Sequence, residues 1–119
     1  MYEVIFYENE KGQCPMDEFL DTLPPKVRAK LEKWIEKLEQ EGPDLPRPYA
    51  DILKGKIREL RLIFQSNYYR FLYFFFGKTI VMTHGFLKKT DKVPPGEIER
   101  AEKSRQDFLQ RHKKGDIQL

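Results

Sequence analysis

Residues 57–87, IRELRLIFQSNYYRFLYFFFGKTIVMTHGFL, decide the fold. Three runs rich in β-branched and aromatic residues, 57–64, 69–76 and 79–87, are each of strand length. They are separated by turn-forming Gln65-Ser66-Asn67-Tyr68 and Gly77-Lys78, which predicts an antiparallel meander. Period-two alternation sends Leu60, Leu62 and Phe64 to one face, and Ile57, Glu59, Arg61 and Ile63 to the other. With Ser66-Asn67 as a two-residue turn, Phe64 opposes Tyr69, Ile63 opposes Arg70 and Arg61 opposes Leu72. Arg61 and Arg70 then share a face as diagonal neighbours, about 7–8 Å apart at the backbone. Two guanidinium groups that close repel unless an anion lies between them. Glu59 is the internal candidate for that anion and a phosphate is the functional one.

Carried through Gly77-Lys78, the same pairing puts Thr83, Gly85 and Leu87 on the arginine face. His84 falls on the aromatic side with Met82 and Phe86. A lone histidine there is ordinarily a hydrogen-bonded core residue, so His84 ranks second among the candidates. A single inserted residue near Gly85 would exchange the faces.

Upstream, Tyr-Glu-Val-Ile-Phe-Tyr at 2–7 reads as a strand, and 15–23 as a short helix with Phe19, Leu20 and Leu23 on its apolar side. Pro24-Pro25 opens a longer helix whose stripe is Val27, Leu31, Trp34, Ile35 and Leu38, and Gly42-Pro43 stops it. Pro43, Pro46 and Pro48 make the next segment an irregular connection to Lys54-Gly55-Lys56. Downstream, Pro94-Pro95 precedes a helix from 96 to about 113 with a sparse stripe of Ile98, Ala101, Phe108 and Leu109. Residues 113–119 are expected to fray. The reading is one α+β domain over 1–119, ordered β-α-α-β-β-β-α, with a twisted, mainly antiparallel sheet and its helices packed on one face.

Composition narrows the function classes. The 34% charged and 39% hydrophobic content, with nine Phe and six Tyr, suits a folded domain rather than a disordered chain. Cys14 is the sole cysteine, which excludes an internal disulfide and a Cys-rich zinc site and suits a reducing cytoplasm. The acidic first twenty residues lack the features of a signal peptide, and the longest apolar run, 71–76, is far too short to span a bilayer. Asp51 and Asp91 are isolated, so no carboxylate cluster supports a metal nuclease. Charge divides sharply: residues 1–53 hold seven Lys or Arg against twelve Asp or Glu, whereas 54–119 hold fifteen against seven. A basic half of this kind points to a polyanion, with RNA the leading candidate, and is otherwise a solvated surface.

The ordered set Leu53-Lys54-Gly55, Arg58-Glu59-Leu60-Arg61, Tyr69 to Phe75, Thr83 to Thr90 and Pro94-Pro95-Gly96-Glu97-Ile98 resembles the RelE/ParE/HigB toxin superfamily, and within it the phage-derived HigB-like branch. The resemblance runs in order along nearly the whole chain. It implies a small RelE-like fold and the toxin of a type II toxin–antitoxin pair: a cytoplasmic, metal-independent endoribonuclease that needs no cofactor and cuts mRNA on the ribosome. Its partner would be a cognate antitoxin carrying a helix-turn-helix, with operator DNA reached only through that antitoxin. One branch of the superfamily inhibits DNA gyrase instead, and a non-catalytic or retired prophage toxin of the same fold is the alternative.

Attack of a 2′-hydroxyl on phosphorus needs a proton acceptor, a proton donor and cations around the developing charge. Arg61 and Arg70 suit the last task, because a guanidinium fork binds two phosphate oxygens and keeps its charge. Lys88 and Lys89 leave the last strand beside them, and lysines crowded by cations can move protons near neutral pH. Lys54 and Lys56 are candidates for phosphates farther along the RNA, and Tyr68 for stacking on a base. Some relatives use a tyrosine near the C-terminus, whereas the last tyrosine here is Tyr73, which leaves His84 or a lysine to substitute.

Overall fold

Both faces of the central strands are buried, and that fact organises the molecule. The computed structural model describes residues 1–88 and 92–119. In chain order its elements are β1 (Glu3–Phe6), α1 (Pro15–Leu20), α2 (Pro25–Glu41), a 3₁₀ turn (Gly42–Asp44), β2 (Ala50–Ile52), β3 (Arg58–Phe64), β4 (Asn67–Phe76), β5 (Thr79–Lys88) and α3 (Pro95–Lys113). The strands form one sheet in the order β1-β5-β4-β3-β2, antiparallel except where β1 runs parallel to β5. The α+β class and the meander are as expected. The three-residue strand β2 lies inside the segment read as irregular, where its prolines hide it.

The helices occupy both faces of the sheet. Met16 of α1 and Val27, Leu31 and Leu38 of α2 pack on Leu60, Leu62, Phe71 and Met82. Ala101 and Phe108 of α3 pack on Ile57, Leu72, Phe74 and Val81, on the opposite side. This corrects the expectation that all helices share one face. The run Phe-Leu-Tyr-Phe-Phe-Phe at 71–76 carries no polar alternation, the pattern of a strand covered on both sides, and the sparse stripe of α3 supplies the second cover. Phe74 and Phe76 meet the Phe108 ring at centroid distances of 5.6 and 5.4 Å, both edge-on. The outer edge of β1 is partly covered by Glu39 of α2, whose carbonyl and carboxylate accept from the Tyr2 and Val4 amides.

Two registers differ from the sequence reading. The β3–β4 turn is Gln65-Ser66, with φ of 50° and 65°, the paired left-handed conformation that matches strand twist in a two-residue hairpin. Phe64 therefore pairs with Asn67, and Arg61 directly with Arg70. Between β4 and β5 the expected pairing holds from Phe76–Thr79 to Tyr73–Met82, and then slips by one, so that Leu72 faces His84. Thr83 is the extra residue of this bulge. From there onward each β5 side chain lies on the face opposite to the one expected, which carries His84, Phe86 and Lys88 to the α3 side. Gly85 then points at α1, where a Cβ would come within 2.6 Å of the Phe19 ring and 2.7 Å of the Phe71 ring.

Candidate functional site

Arg61 and Arg70 stand directly opposite each other on the α3 side of the sheet, with Glu59 two residues before Arg61 on β3 and on the same face. The Glu59 carboxylate bridges them. Its Oε2 accepts from Arg70 Nη1 at 2.8 Å, and its Oε1 lies 3.5 Å from Arg61 Nε. Arg70 and Glu59 are 1% and 3% exposed, whereas the Arg61 side chain retains 23% of its surface. Glu59 thus fills the role of internal anion. The two guanidinium groups share this carboxylate, and Arg61 is the one that solvent reaches. A buried ion pair adds little net stability, so its presence on a strand marks the position as more than packing.

Around the pair, the strands supply a rim. Phe86 is opposite Arg70, and Lys88 is opposite Tyr68. The Tyr68 ring centre is 5.9 Å from the Arg70 guanidinium carbon, a cation–π contact that holds the arginine from the turn side. α3 begins at Pro95 and packs over the Leu72–Phe76 end of β4, while Tyr68, the exposed Ile63 and half-buried Lys88 lie toward the β3–β4 turn.

His84 reaches this face because of the Thr83 bulge, which corrects its sequence placement, yet it is only 1% exposed. Its Nε2 lies 3.2 Å from Glu97 Oε1 in the first turn of α3, and its Nδ1 lies 3.1 Å from Thr83 Oγ1. Burial is the main force pushing its pKa down, to about 4, with the Arg100 charge adding to it; Glu97 pulls the other way. At neutral pH the ring is uncharged, and its two nitrogens tie Glu97 of α3 to Thr83, whose hydroxyl lies 3.2 Å from the Leu72 carbonyl. His84 is a brace between sheet and helix. It is not a group presented to substrate.

Residues 18–106, spanning α1 to most of α3, match the family described as Phage derived protein Gp49-like (DUF891). The chain belongs to this family. The Gp49-like proteins are a RelE-type, toxin-like family, and the matched segment contains Glu59, Arg61, Arg70, His84 and Glu97. None of the curated proteins matches the chain.

In this Gp49-like protein the other basic candidates separate. Lys54 and Lys56 flank a tight turn before β3, closed by the Leu53 amide on the Ile57 carbonyl. They border a cleft of about 680 Å³ under α3, with Ile57, Ile98 and Glu102 in its walls. Five residues of extended chain, about 17 Å, separate Lys56 from Arg61. The structure therefore brings together Arg61, Arg70, Tyr68 and Lys88 and sets Lys54 and Lys56 apart. Lys89 lies outside the described residues. Glu97 escaped the sequence reading; an acidic residue just after Pro94-Pro95 reads as a helix-dipole partner, and only the bulge reveals that it meets His84. No described helix is long and apolar enough to cross a membrane.

Proposed function

We propose that this Gp49-like protein is the toxin of a type II toxin–antitoxin pair and cleaves mRNA on the ribosome as a metal-independent endoribonuclease in the cytoplasm. The observation that carries the reading is the opposed Arg61–Arg70 pair, which Glu59 bridges from one side while Arg61 stays open to solvent. In the reaction a ribose 2′-oxygen bonds to the adjacent phosphorus, the bond to the 5′-oxygen breaks, and a cyclic phosphate and a free 5′-hydroxyl result. Arg61 receives the non-bridging oxygens, while Arg70, fixed by Glu59 and Tyr68, holds positive potential behind it. A preorganised donor of this kind contributes on the order of 3 kcal/mol to the transition state. Lys88, which pairs with Tyr68 across the strands, takes the proton-transfer role in this reading, because His84 is sealed beneath Glu97. Tyr68 offers a ring for a neighbouring base. A cognate antitoxin with a helix-turn-helix would neutralise the protein and carry it to operator DNA.

The sealed histidine also favours a second reading, a non-catalytic protein of the same fold that inhibits gyrase or only binds its antitoxin. Primer extension on total RNA after induction separates the two. New 5′ ends inside translated codons, lost in Arg61→Ala, are expected. Intact transcripts accompanied by DNA-damage signalling would replace cleavage with gyrase inhibition, and intact transcripts with normal growth would leave antitoxin binding alone.

A further inference from the structure

The face of the sheet turned away from the arginine pair carries a second polar cluster, at the end of β3 near β2. Arg58 and Tyr73 are directly opposed there, and their side chains line a cleft of about 180 Å³ backed by Leu45 and rimmed by Arg47 and Asp51. Tyr73 is 1% exposed. Its hydroxyl makes no hydrogen bond among the described residues, whereas the Tyr7 hydroxyl donates to Asp107 and the Trp34 indole N–H donates to the Arg61 carbonyl. The hydroxyl oxygen keeps contact with solvent at the floor of the cleft, which leaves it open as a donor to an occupant there. Three of the next four residues of β4 beyond Leu72 are phenylalanines, so packing alone asks for no hydroxyl at this position.

Arg58 is similarly under-used. Its guanidinium lies over the Phe75 ring at 4.9 Å, and its one hydrogen bond, to the Pro43 carbonyl, is 3.5 Å long. A guanidinium has five N–H donors in its plane, so stacking on a ring leaves its edge available. Arg47 and Asp51 pair at 2.8 Å on the rim. That pairing commits the carboxylate of the lining, and the two guanidinium groups leave the cleft with an excess of positive charge. Burial pushes the Tyr73 pKa up to about 12, against the pull of the Arg58 charge, so the hydroxyl remains a donor. The cleft is smaller than the roughly 300–1,000 Å³ pockets of drug-sized ligands.

We infer that Tyr73, Arg58 and Arg47 form a binding site for a single tetrahedral oxyanion of the phosphate class, separate from the arginine pair and on the other face of the sheet. The hydroxyl and the Arg58 edge donate to its oxygens from the floor, and Arg47 closes over it from the rim. The same chemistry would take free phosphate or the terminal phosphate of a nucleoside monophosphate whose sugar and base remain outside.

The test is titration of the full chain with inorganic phosphate, and separately with adenosine 5′-monophosphate, at ionic strength matched with chloride, following backbone amide and arginine Nε–H resonances. Saturable shifts at Arg58, Arg47 and the amides of 50–52 are expected, persisting in Arg61→Ala. Tyr73→Phe should weaken binding about tenfold, the worth of one charge-assisted hydrogen bond, while leaving the melting temperature of the free protein unchanged. Arg58→Gln should abolish it; if that variant fails to fold, the Tyr73→Phe titration decides. Tighter binding of the nucleotide would identify a phosphomonoester as the occupant, and equal or weaker binding would identify free phosphate. Shifts that do not saturate, that follow chloride equally, or that survive unchanged in Tyr73→Phe would overturn the site.

Discussion

The two faces of β3 and β4 are both buried, and the α3 face differs from the other by a charged patch set beside its apolar core. Toward α1 and α2, Leu60, Leu62 and Phe71 are sealed among apolar neighbours; toward α3, Glu59 and Arg70 are sealed as ions. The apolar face gains from every methylene it buries. The charged face gains little, since ion pairs of this kind can often be exchanged for apolar residues without loss. Leu72 and Phe74 still fasten the second face to α3, so the charged patch beside them holds a guanidinium in place at the expense of packing.

The sharpest way to break this contrast is to unbalance the charged face. Glu59→Ala removes the carboxylate that Arg70 and Arg61 share and is expected to cost about 3–5 kcal/mol in urea unfolding. The paired change Glu59→Leu with Arg70→Met should recover most of that loss while abolishing toxicity. A double variant as unstable as the single one would show that shape, rather than charge, is at stake. Acid probes the same face more gently. The unfolded His84 takes a proton near 6.5 and the folded one near 4. Between those values the unfolded state holds more protons, so stability is complete above about pH 6.5, falls as pH drops toward 4, and then levels. The loss is on the order of 3 kcal/mol, and His84→Gln should flatten that part of a urea-midpoint profile against pH.

On the apolar face, Gly85→Ala pushes a methyl group into the Phe19 and Phe71 rings and should cost about 1–3 kcal/mol. Stability unchanged in thermal unfolding would mean α1 yields there. The smallest expected effect concerns how α3 is fastened. The Tyr7 hydroxyl donates to Asp107 at 2.5 Å, and Asp107 also accepts from Arg111 Nε at 3.0 Å. Tyr7→Phe removes one hydrogen bond from that clamp, about 1 kcal/mol, and should raise amide exchange in α3 while leaving α2 protected.

Apart from β2, the helices and strands were legible in the sequence because Pro24-Pro25, Gly42-Pro43, Gly77-Lys78 and Pro94-Pro95 punctuate runs of clear period. Arg61 and Arg70 were placed on one face even though the turn was set one residue late at each position. That error moves the register by two, and two preserves the face. His84 was placed wrongly for the complementary reason: a bulge at Thr83 moves the register by one, and nothing in Met-Thr-His-Gly announces it. The side chosen by α3 was readable only from the unbroken apolar run of β4. Glu97 was hidden because its partner depended on the bulge.

The parallel pairing of β1 with β5 governs when the protein can exist during its own synthesis. Val4 waits for Ile80, and Phe6 for Met82, so the first strand has no neighbour until the last strand has been made. α1 and α2 likewise have no sheet to lie on before β3 to β5 emerge. Domains acquire long-range strand pairs late, after local hairpins. A growing chain halted before residue 79 therefore exposes residues 1–41 to protease, and the α3 face of the sheet is incomplete until β5 has been made.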